Sequence, residues 1–480
     1  MQTETGAGEA KAGGKKQRVQ DEFGGIYELK SKLAEGGQGI VLSTDFQNLL
    51  VKVSRWPDGD PRTQAWRKQV EALQRMPVVD EGLPVVMPKA RIVKPRAGYV
   101  MELVDGLIPL ELLLKESIES FASGMGLQGF VSSGGLARRL RVLARLARVL
   151  AQLHGLGLAH GDISPKNVFV STSHDQGEVW LIDCDNLTYA VRDSSLQVYT
   201  PDYGAPEILR GDAGISTYTD VWSFAVIAFQ LLVQLHPFKG GELVDQDSDL
   251  EVAALRGELP WIDHRDDARN RSAMGIDREY VLTPLLVELF DRCFRLGVVD
   301  PELRPTMGEW AEAFEAATAV QVLCLDSIGC GSTFYWNKAI QCPFCDTRHD
   351  PSSVLRLSHA VYASPAELGE DAAPAHSWIA TDIVAVLSAN ELVLRAAPPG
   401  TSAYLDSAVA AALQIDGDDL VIRAGKSNHG NASVISRAPT GVPPASTETG
   451  AVPAERTAPE SAQTSASAAA SNRRFEDMED

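Results

Sequence analysis

His160-Gly161-Asp162-Ile163-Ser164-Pro165-Lys166-Asn167-Val168 and, a short way on, Leu181-Ile182-Asp183-Cys184-Asp185 decide how this chain is read. Taken alone, Asp162 and Asp183 are ordinary turn or cap residues, because short polar side chains favour such places. Their neighbours change the weighting. Upstream, Glu35-Gly36-Gly37-Gln38-Gly39-Ile40-Val41 precedes an apolar strand, Leu49 to Val53, that contains Lys52. Glycines let backbone N–H groups approach phosphates, and a lysine on the next strand neutralises them. The plainer alternative is a glycine hairpin beside a lysine whose stem lies on apolar surface. Downstream come Pro201-Asp202-Tyr203-Gly204-Ala205-Pro206-Glu207, then Asp220-Val221-Trp222-Ser223-Phe224, then Arg304-Pro305-Thr306.

In order and spacing these segments resemble the protein-kinase family over residues 24 to about 319. The resemblance implies an α+β, bilobal fold with a strand-rich N-lobe and a helical C-lobe. It also implies ATP and Mg2+ as the nucleotide and the metal. Asp162 would accept the hydroxyl proton, and Asn167 and Asp183 would supply hard oxygen ligands for magnesium. Gly36, Gly37, Gly39, Val41 and Lys52 would line the nucleotide site. Tyr99-Val100-Met101-Glu102-Leu103-Val104 resembles the hinge, with Met101 bordering the pocket and the main chain of Glu102 and Val104 facing adenine. Glu207 and Arg304 would form a buried ion pair, whereas the plain reading makes them two unrelated surface charges. Asp220 would accept hydrogen bonds from the catalytic-loop backbone. Thr200 stands where Ser/Thr kinases place a threonine against the catalytic aspartate.

Several residues depart from the family pattern. Ala34 replaces the first loop glycine, and Gly161 replaces the arginine that reads a phosphorylated activation loop. Ser164 stands where a lysine is usual, so Lys166 is taken as its substitute. Asp185, followed by Asn186, replaces the metal-loop glycine. The acidic partner of Lys52 falls on Gln69, and Glu71, two positions along and about 200° round the helix, is the candidate. His160-Gly161-Asp162 also resembles small-molecule phosphotransferases, which usually lack the Ala-Pro-Glu platform and the helix after it; both occur here. A nucleotide-binding scaffold with negligible catalysis is the third reading. Ser194, Ser195, Tyr199 and Thr200 are hydroxyls open to phosphorylation, although loop hydroxyls are usually only solvated.

The remaining chain is organised around this core. Its 480 residues exceed what one hydrophobic core serves. The expected boundaries are a disordered leader (1–23), the N-lobe (24–105), the C-lobe (106–319), a zinc ribbon (320–350), a small β-rich unit (351–424) and a disordered tail (425–480). Lys115 to Gly135, rich in Ser and Gly, reads as a loop insertion, and Gly240 to Asp277 as a long acidic connection. With 64 acidic against 44 basic side chains the net charge is -20, which argues against broad nucleic-acid or anionic-membrane binding. The longest apolar run, Val221 to Leu235, is short for a bilayer span, and no secretory signal precedes the core, so a cytoplasmic protein is expected.

Cys324, Cys330 and the Cys342-Pro343-Phe344-Cys345 knuckle offer four thiolates, the set of a closed, structural Zn2+ site, with His349 as an alternative ligand. A kinase core followed by a zinc ribbon looks like bacterial kinases encoded with von Willebrand factor A proteins in stress responses such as tellurite resistance. The expected partners are a protein substrate and a regulatory partner at the zinc ribbon or the β-rich unit. Arg138, Arg139, Arg141, Arg145 and Arg148 share one amphipathic helix, read as a solvated, acid-paired face in preference to a dock for an acidic partner.

Overall fold

The computed structural model describes residues 17–78, 81–190, 199–241, 247–325, 327–362, 378–388, 392–395, 409–416, 419–424 and 433–436. Contacts divide the chain into two units, residues 1–361 with 380–438 and residues 362–379 with 439–480; the second lies almost wholly outside the described residues. Ser194 and Ser195 fall outside them too.

Seven short segments form one antiparallel sheet: β1 (Arg18–Asp21), β2 (Ile26–Glu28), β3 (Lys32–Glu35), β4 (Gly39–Ser43), β5 (Leu49–Ser54), β6 (Ala90–Lys94) and β7 (Gly98–Glu102), in the order β2-β1-β6-β7-β5-β4-β3. The sheet corrects one boundary. The leader was expected to run to residue 23, yet β1 pairs with β2 and β6, and Val19 is buried in the core. Asp21 closes the β1–β2 turn, accepting from the N–H groups of Phe23 and Gly25 and from the Tyr27 hydroxyl.

One sheet face buries Val51, Val53 and Val100; the other turns Lys52 and its cross-strand partner Tyr99 toward helix α1 (Pro61–Leu73). Asp60 caps α1 by accepting from the Arg62 N–H, and Pro61 fits the first turn, where no N–H is needed. Thr63, Trp66, Val70 and Leu73 form its buried stripe.

The second lobe is helical around α2 (Leu110–Ser120), α3 (Leu127–Ser132), α4 (Gly135–Gly155), α5 (Pro206–Arg210), α6 (Thr217–Val233) and the helix Met307–Ala319. A reciprocal Ser216–Thr219 capping box starts α6, most of whose side chains are buried. Phe224, Phe229, Phe290, Phe294, Trp310 and Phe314 pack mostly edge to face or tilted at its centre. The apolar run from Val221 therefore belongs to a buried helix. Among the described residues no helix is long and apolar enough to cross a membrane.

Two expectations from composition fail in this lobe. The Ser- and Gly-rich stretch from Lys115 is largely helix, because its hydroxyls bond inward: Ser117 to the Leu113 carbonyl and Ser133 to the Gly129 carbonyl. The arginine face is not solvated, since Arg138, Arg139 and Arg148 are buried. Arg139 donates to the carbonyls of Leu231, Phe130 and Gly135 and to the Ser117 and Ser133 hydroxyls, and its guanidinium lies 4.0 Å from the Phe130 ring centre. Burial, aided by the nearby Arg138 charge, pulls its pKa down to about 9. Arg148 forms a bidentate ion pair with Glu315, both contacts at 2.8 Å, which ties α4 to Met307–Ala319. The acidic connection after Gly240 contains the helix Ser248–Leu255 and buried Trp261, Ile262 and Asn270.

After this lobe, β13 (Gln321–Leu323) pairs with β14 (Thr333–Tyr335). The pair docks on the helices: Phe344 stacks on Phe130 with ring centres 5.6 Å apart, and the Tyr335 hydroxyl donates to the Val281 carbonyl at 3.1 Å. Strands Leu392–Arg395, Val409–Asp416, Asp419–Ala424 and Ser433–Ser436 form an antiparallel sheet. Its last strand lies beyond residue 424, inside the segment expected to be a disordered tail.

Candidate active site

The glycine turn is built by sterics on one side and left open on the other. A Cβ on Gly39 would stand 2.8 Å from the Val53 carbonyl oxygen and 3.1 Å from Lys52 Cγ, so only glycine lets β4 lie this close to β5. Around Gly36 and Gly37 a Cβ would meet nothing within 4 Å, which leaves their backbone accessible. Val41 pairs with Lys52 across the strands. At the tip, Gln38 Nε2 donates to Asn186 Oδ1 at 2.9 Å, bridging the glycine turn to the loop after Asp183. Met101 packs beside Trp66, Val70 and Tyr99 on the cleft face of β7. Next to it the exposed Glu102 pairs with Lys89 at 2.8 Å, the Leu103 N–H bonds the Asn48 carbonyl, and Val104 is half-buried.

Lys52 is buried, with Nζ 2.5 Å from Asp183 Oδ1 and 2.7 Å from Asp185 Oδ2. Burial would lower its pKa, but the carboxylates of Asp185 and Asp183 more than offset that and raise it, so the ammonium stays charged. Asp185 accepts two further bonds, from Trp66 Nε1 at 3.0 Å and the Tyr99 hydroxyl at 2.8 Å. Glu71, expected to pair with Lys52, does not. It bonds Arg75 at 2.7 Å and lies 3.4 Å from Arg91 on the outer side of α1. Gln69, two positions earlier and about 200° round the helix, donates to the Leu187 carbonyl at 2.9 Å.

Asp162 and Asn167 meet in the loop between β9 (Leu158–Ala159) and β10 (Val168–Ser171). Asp162 Oδ1 accepts the Thr200 hydroxyl at 2.6 Å, and Oδ2 accepts Asn167 Nδ2 at 3.1 Å. The loop is held from below by Asp220 in α6, which accepts the N–H groups of His160 at 2.7 Å and Gly161 at 2.9 Å. Gly161 has φ +81°, and a Cβ there would stand 2.7 Å from Ile215 Cδ1, so the arginine usual at this place has no room. Ser164 is buried, and its hydroxyl has no hydrogen-bond partner among the described residues. Lys166, taken as a substitute for the missing lysine, is 65 % exposed, and its nearest carboxylate is Glu111 at 3.8 Å; among the described contacts none joins it to Asp162 or Asp183.

Glu207 at the start of α5 and Arg304 are not surface charges. They form a buried bidentate pair at 2.7 and 2.8 Å, and Arg304 also donates to the carbonyls of Gly297 and Tyr218 and lies over the Trp222 ring. Glu207→Ala strands that guanidinium and is expected to destabilise the fold by about 3–5 kcal/mol in urea unfolding. A loss under about 1 kcal/mol would mean the pair is relieved by water, as exposed pairs are.

The four cysteines converge. Sγ atoms of Cys324, Cys330, Cys342 and Cys345 all lie within 4.8 Å of one another, with Cys324–Cys345 at 3.6 Å and Cys330–Cys342 at 3.7 Å. A tetrahedron with bonds of about 2.3 Å to sulfur has edges of about 3.8 Å, so the cluster fits a zinc ion, whereas a disulfide needs about 2.05 Å. The N–H groups of Cys330 and Phe344 point at the sulfurs of Cys324 and Cys342, as negative thiolates require. His349 is outside the cluster; its ring packs on Phe334 and its Nε2 has no partner.

The protein kinase domain family matches residues 110–314. Serine/threonine-protein kinase pkn2 of Myxococcus xanthus is 31 % identical over 132 residues, covering 26 % of this chain and 16 % of that protein. Serine/threonine-protein kinase 17A of Oryctolagus cuniculus is 26 % identical over 190 residues, 38 % of this chain and 45 % of its own. CBL-interacting protein kinase 22 of Oryza sativa subsp. japonica is 32 % identical over 154 residues, 29 % and 33 %. The chain thus spans less than half the length of each of these relatives. The strand-rich lobe before residue 110 lies outside the family match, but Lys52 ties it to Asp183 and Asp185 inside the match. Residues 110–314 thus match the protein kinase domain, and the sequences similar to this segment are those of Ser/Thr protein kinases.

Proposed function

We propose that this chain is an ATP- and magnesium-dependent protein kinase that transfers the γ-phosphate to serine or threonine hydroxyls of proteins, its own among the candidates. The observation that carries this reading is the Thr200 hydroxyl donating to Asp162 at 2.6 Å, with Asn167 on the other carboxylate oxygen and the Lys52–Asp183 pair alongside in the same site. An oxygen already accepting one alcohol proton is suited to accept another. As the acceptor oxygen bonds to the γ-phosphorus and the bond to the β-phosphate oxygen breaks, Asp162 takes the hydroxyl proton. Lys52 balances phosphate charge, and the turn at Gly36, Gly37 and Gly39, closed by the Gly36 N–H donating to the Gly39 carbonyl, lets phosphates approach the backbone. Asn167 and Asp183 would hold magnesium, which would supply charge neutralisation there. The Glu207–Arg304 platform favours a protein acceptor over a metabolite.

Four cysteine ligands leave no open position, so the zinc role is structural. Reduced thiols in that cluster support a cytoplasmic setting. The Myxococcus relative and the order of kinase core and zinc module support a bacterial signalling or stress-response role, with a regulatory partner at the zinc module or the β-rich unit. The test is transfer of γ-labelled phosphate to the protein itself and to generic protein acceptors, comparing wild type with Asp183→Ala. Label on protein only in the wild type is expected. Equal labelling of both would sink the metal-ligand assignment, and label appearing only on added metabolites would make the chain a small-molecule phosphotransferase.

A further inference from the structure

A kinase lysine has to be held still to serve the phosphates, and here no residue of α1 holds it. Glu71 is the only acidic residue of that helix, and it is occupied by Arg75 and Arg91 on its outer side. Two carboxylates reach Lys52 instead, and they are not equivalent. The Asp183 side chain is 40 % exposed, whereas that of Asp185 is 1 % exposed. Asp185 is also enclosed: Lys52 and Trp66 bond its Oδ2 and Tyr99 its Oδ1, donors from β5, α1 and β7. A carboxylate enclosed by three protein donors has no face for a metal ion. Asp183 does have one, and a cation bound there would draw its charge away from Lys52.

We propose that Asp185 is the positioning residue for Lys52, supplying from the loop after Asp183 the fixed carboxylate that helix α1 lacks. This rests on the kinase reading of the site. Trp66 makes the arrangement tighter, because its indole N–H ties α1 to the same carboxylate that holds the lysine, and Gln69 ties the helix again to the Leu187 carbonyl. Helix, lysine and metal loop therefore form one hydrogen-bonded assembly. Lysine placement does not depend on an ion pair that breaks whenever α1 swings away.

The test is a double-mutant cycle of Asp185→Asn and Lys52→Met on the full chain. It is read by kcat and by calorimetric affinity for magnesium adenylyl imidodiphosphate, a readout that needs no turnover. Asp185→Asn alone is expected to cost about 10- to 100-fold in kcat, the worth of a hydrogen bond to a charged group, with the KM of the protein acceptor unchanged. In the Lys52→Met background the same change should cost nothing further in either readout, because a residue acting through the lysine has nothing left to position. Glu71→Gln should match wild type.

Equal fold-losses in both backgrounds, or a lower melting temperature with kcat intact, would reduce Asp185 to a structural tether. A Glu71→Gln loss as large as that of Asp185→Asn would return the role to the helix. A wild type that binds nucleotide without transferring phosphate would overturn the kinase reading, and the affinity cycle would still decide for or against Asp185. A wild type that binds no nucleotide would sink both.

Discussion

Asp162→Asn is expected to slow phosphoryl transfer by about 100- to 10,000-fold, the usual contribution of a positioned general base. The substitution keeps the shape and removes the proton acceptor, but its local chemistry is not silent. If the new amide oxygen keeps the Thr200 hydroxyl, its NH2 group faces Asn167 Nδ2, which now lies 3.1 Å from Oδ2. Two donors then oppose each other. Asn167 can turn its own amide only by giving up the 2.9 Å bond to the Asp162 carbonyl. The variant therefore removes the base and disturbs a proposed metal ligand together. In rate measurements kcat should fall while the calorimetric affinity for magnesium nucleotide changes by less than about tenfold, since the lost interaction belongs to the transition state. Thr200→Ser, which keeps the hydroxyl, should retain most of the rate. Retention by Asp162→Asn of more than about a tenth of wild-type turnover would remove Asp162 from the chemistry.

The residues that sequence could reach are those whose neighbours in space are also neighbours in a short motif. Asp162 and Asn167 share one loop, and Asp183 follows a strand paired to β10, so local spacing brings them together. Asp220 and Arg304 are distant in sequence, and only the resemblance to a known family linked them to the loop and to Glu207. Where that guide failed, it was because a change in a motif was read as a loss. Asp185 was noted as a missing glycine, yet the replacement brought a carboxylate into reach of Lys52, Trp66 and Tyr99. An added acid two residues after Asp183, with a lysine already lacking its helix partner, was the available signal. The arginines of α4 misled for another reason. Helical spacing places Arg139 and Arg148 on the helix, but their acceptors lie on Ser117, Ser133, Leu231 and Glu315, which periodicity within one helix does not reveal. The same hydroxyls made a helical stretch look like a loop.

Stripping the zinc is expected to unfold the module between Val320 and Asp350 and to loosen the helical lobe beneath it. Without the ion, four sulfurs within 4.8 Å of one another have only weak S–H bonds, and binding of a structural zinc contributes about 10–16 kcal/mol in small finger peptides at neutral pH. That is comparable to the whole stability of a typical domain, about 5–15 kcal/mol, so little besides the metal holds the knuckles closed. The loss does not stop at the module. Phe344 sits inside the Cys342–Cys345 knuckle and stacks on Phe130, whose ring bears the buried Arg139 guanidinium. Arg139 in turn caps the Leu231 carbonyl in α6, the central helix that also carries Asp220. Opening the knuckle therefore lets water toward a buried cation whose hydrogen bonds go to carbonyls and hydroxyls. Elemental analysis should find one zinc per chain. A strong chelator should lower the melting temperature of the kinase domain and reduce turnover, both restored by added zinc, and Cys342→Ser should reproduce the chelated state. Phe344→Ala, with the metal retained, should reproduce the lobe destabilisation alone, by less than the cost of a fully buried aromatic, about 3–5 kcal/mol, because Phe344 is half-buried. Purified protein without metal and with a melting curve unmoved by chelator would show that the four cysteines are merely packed thiols.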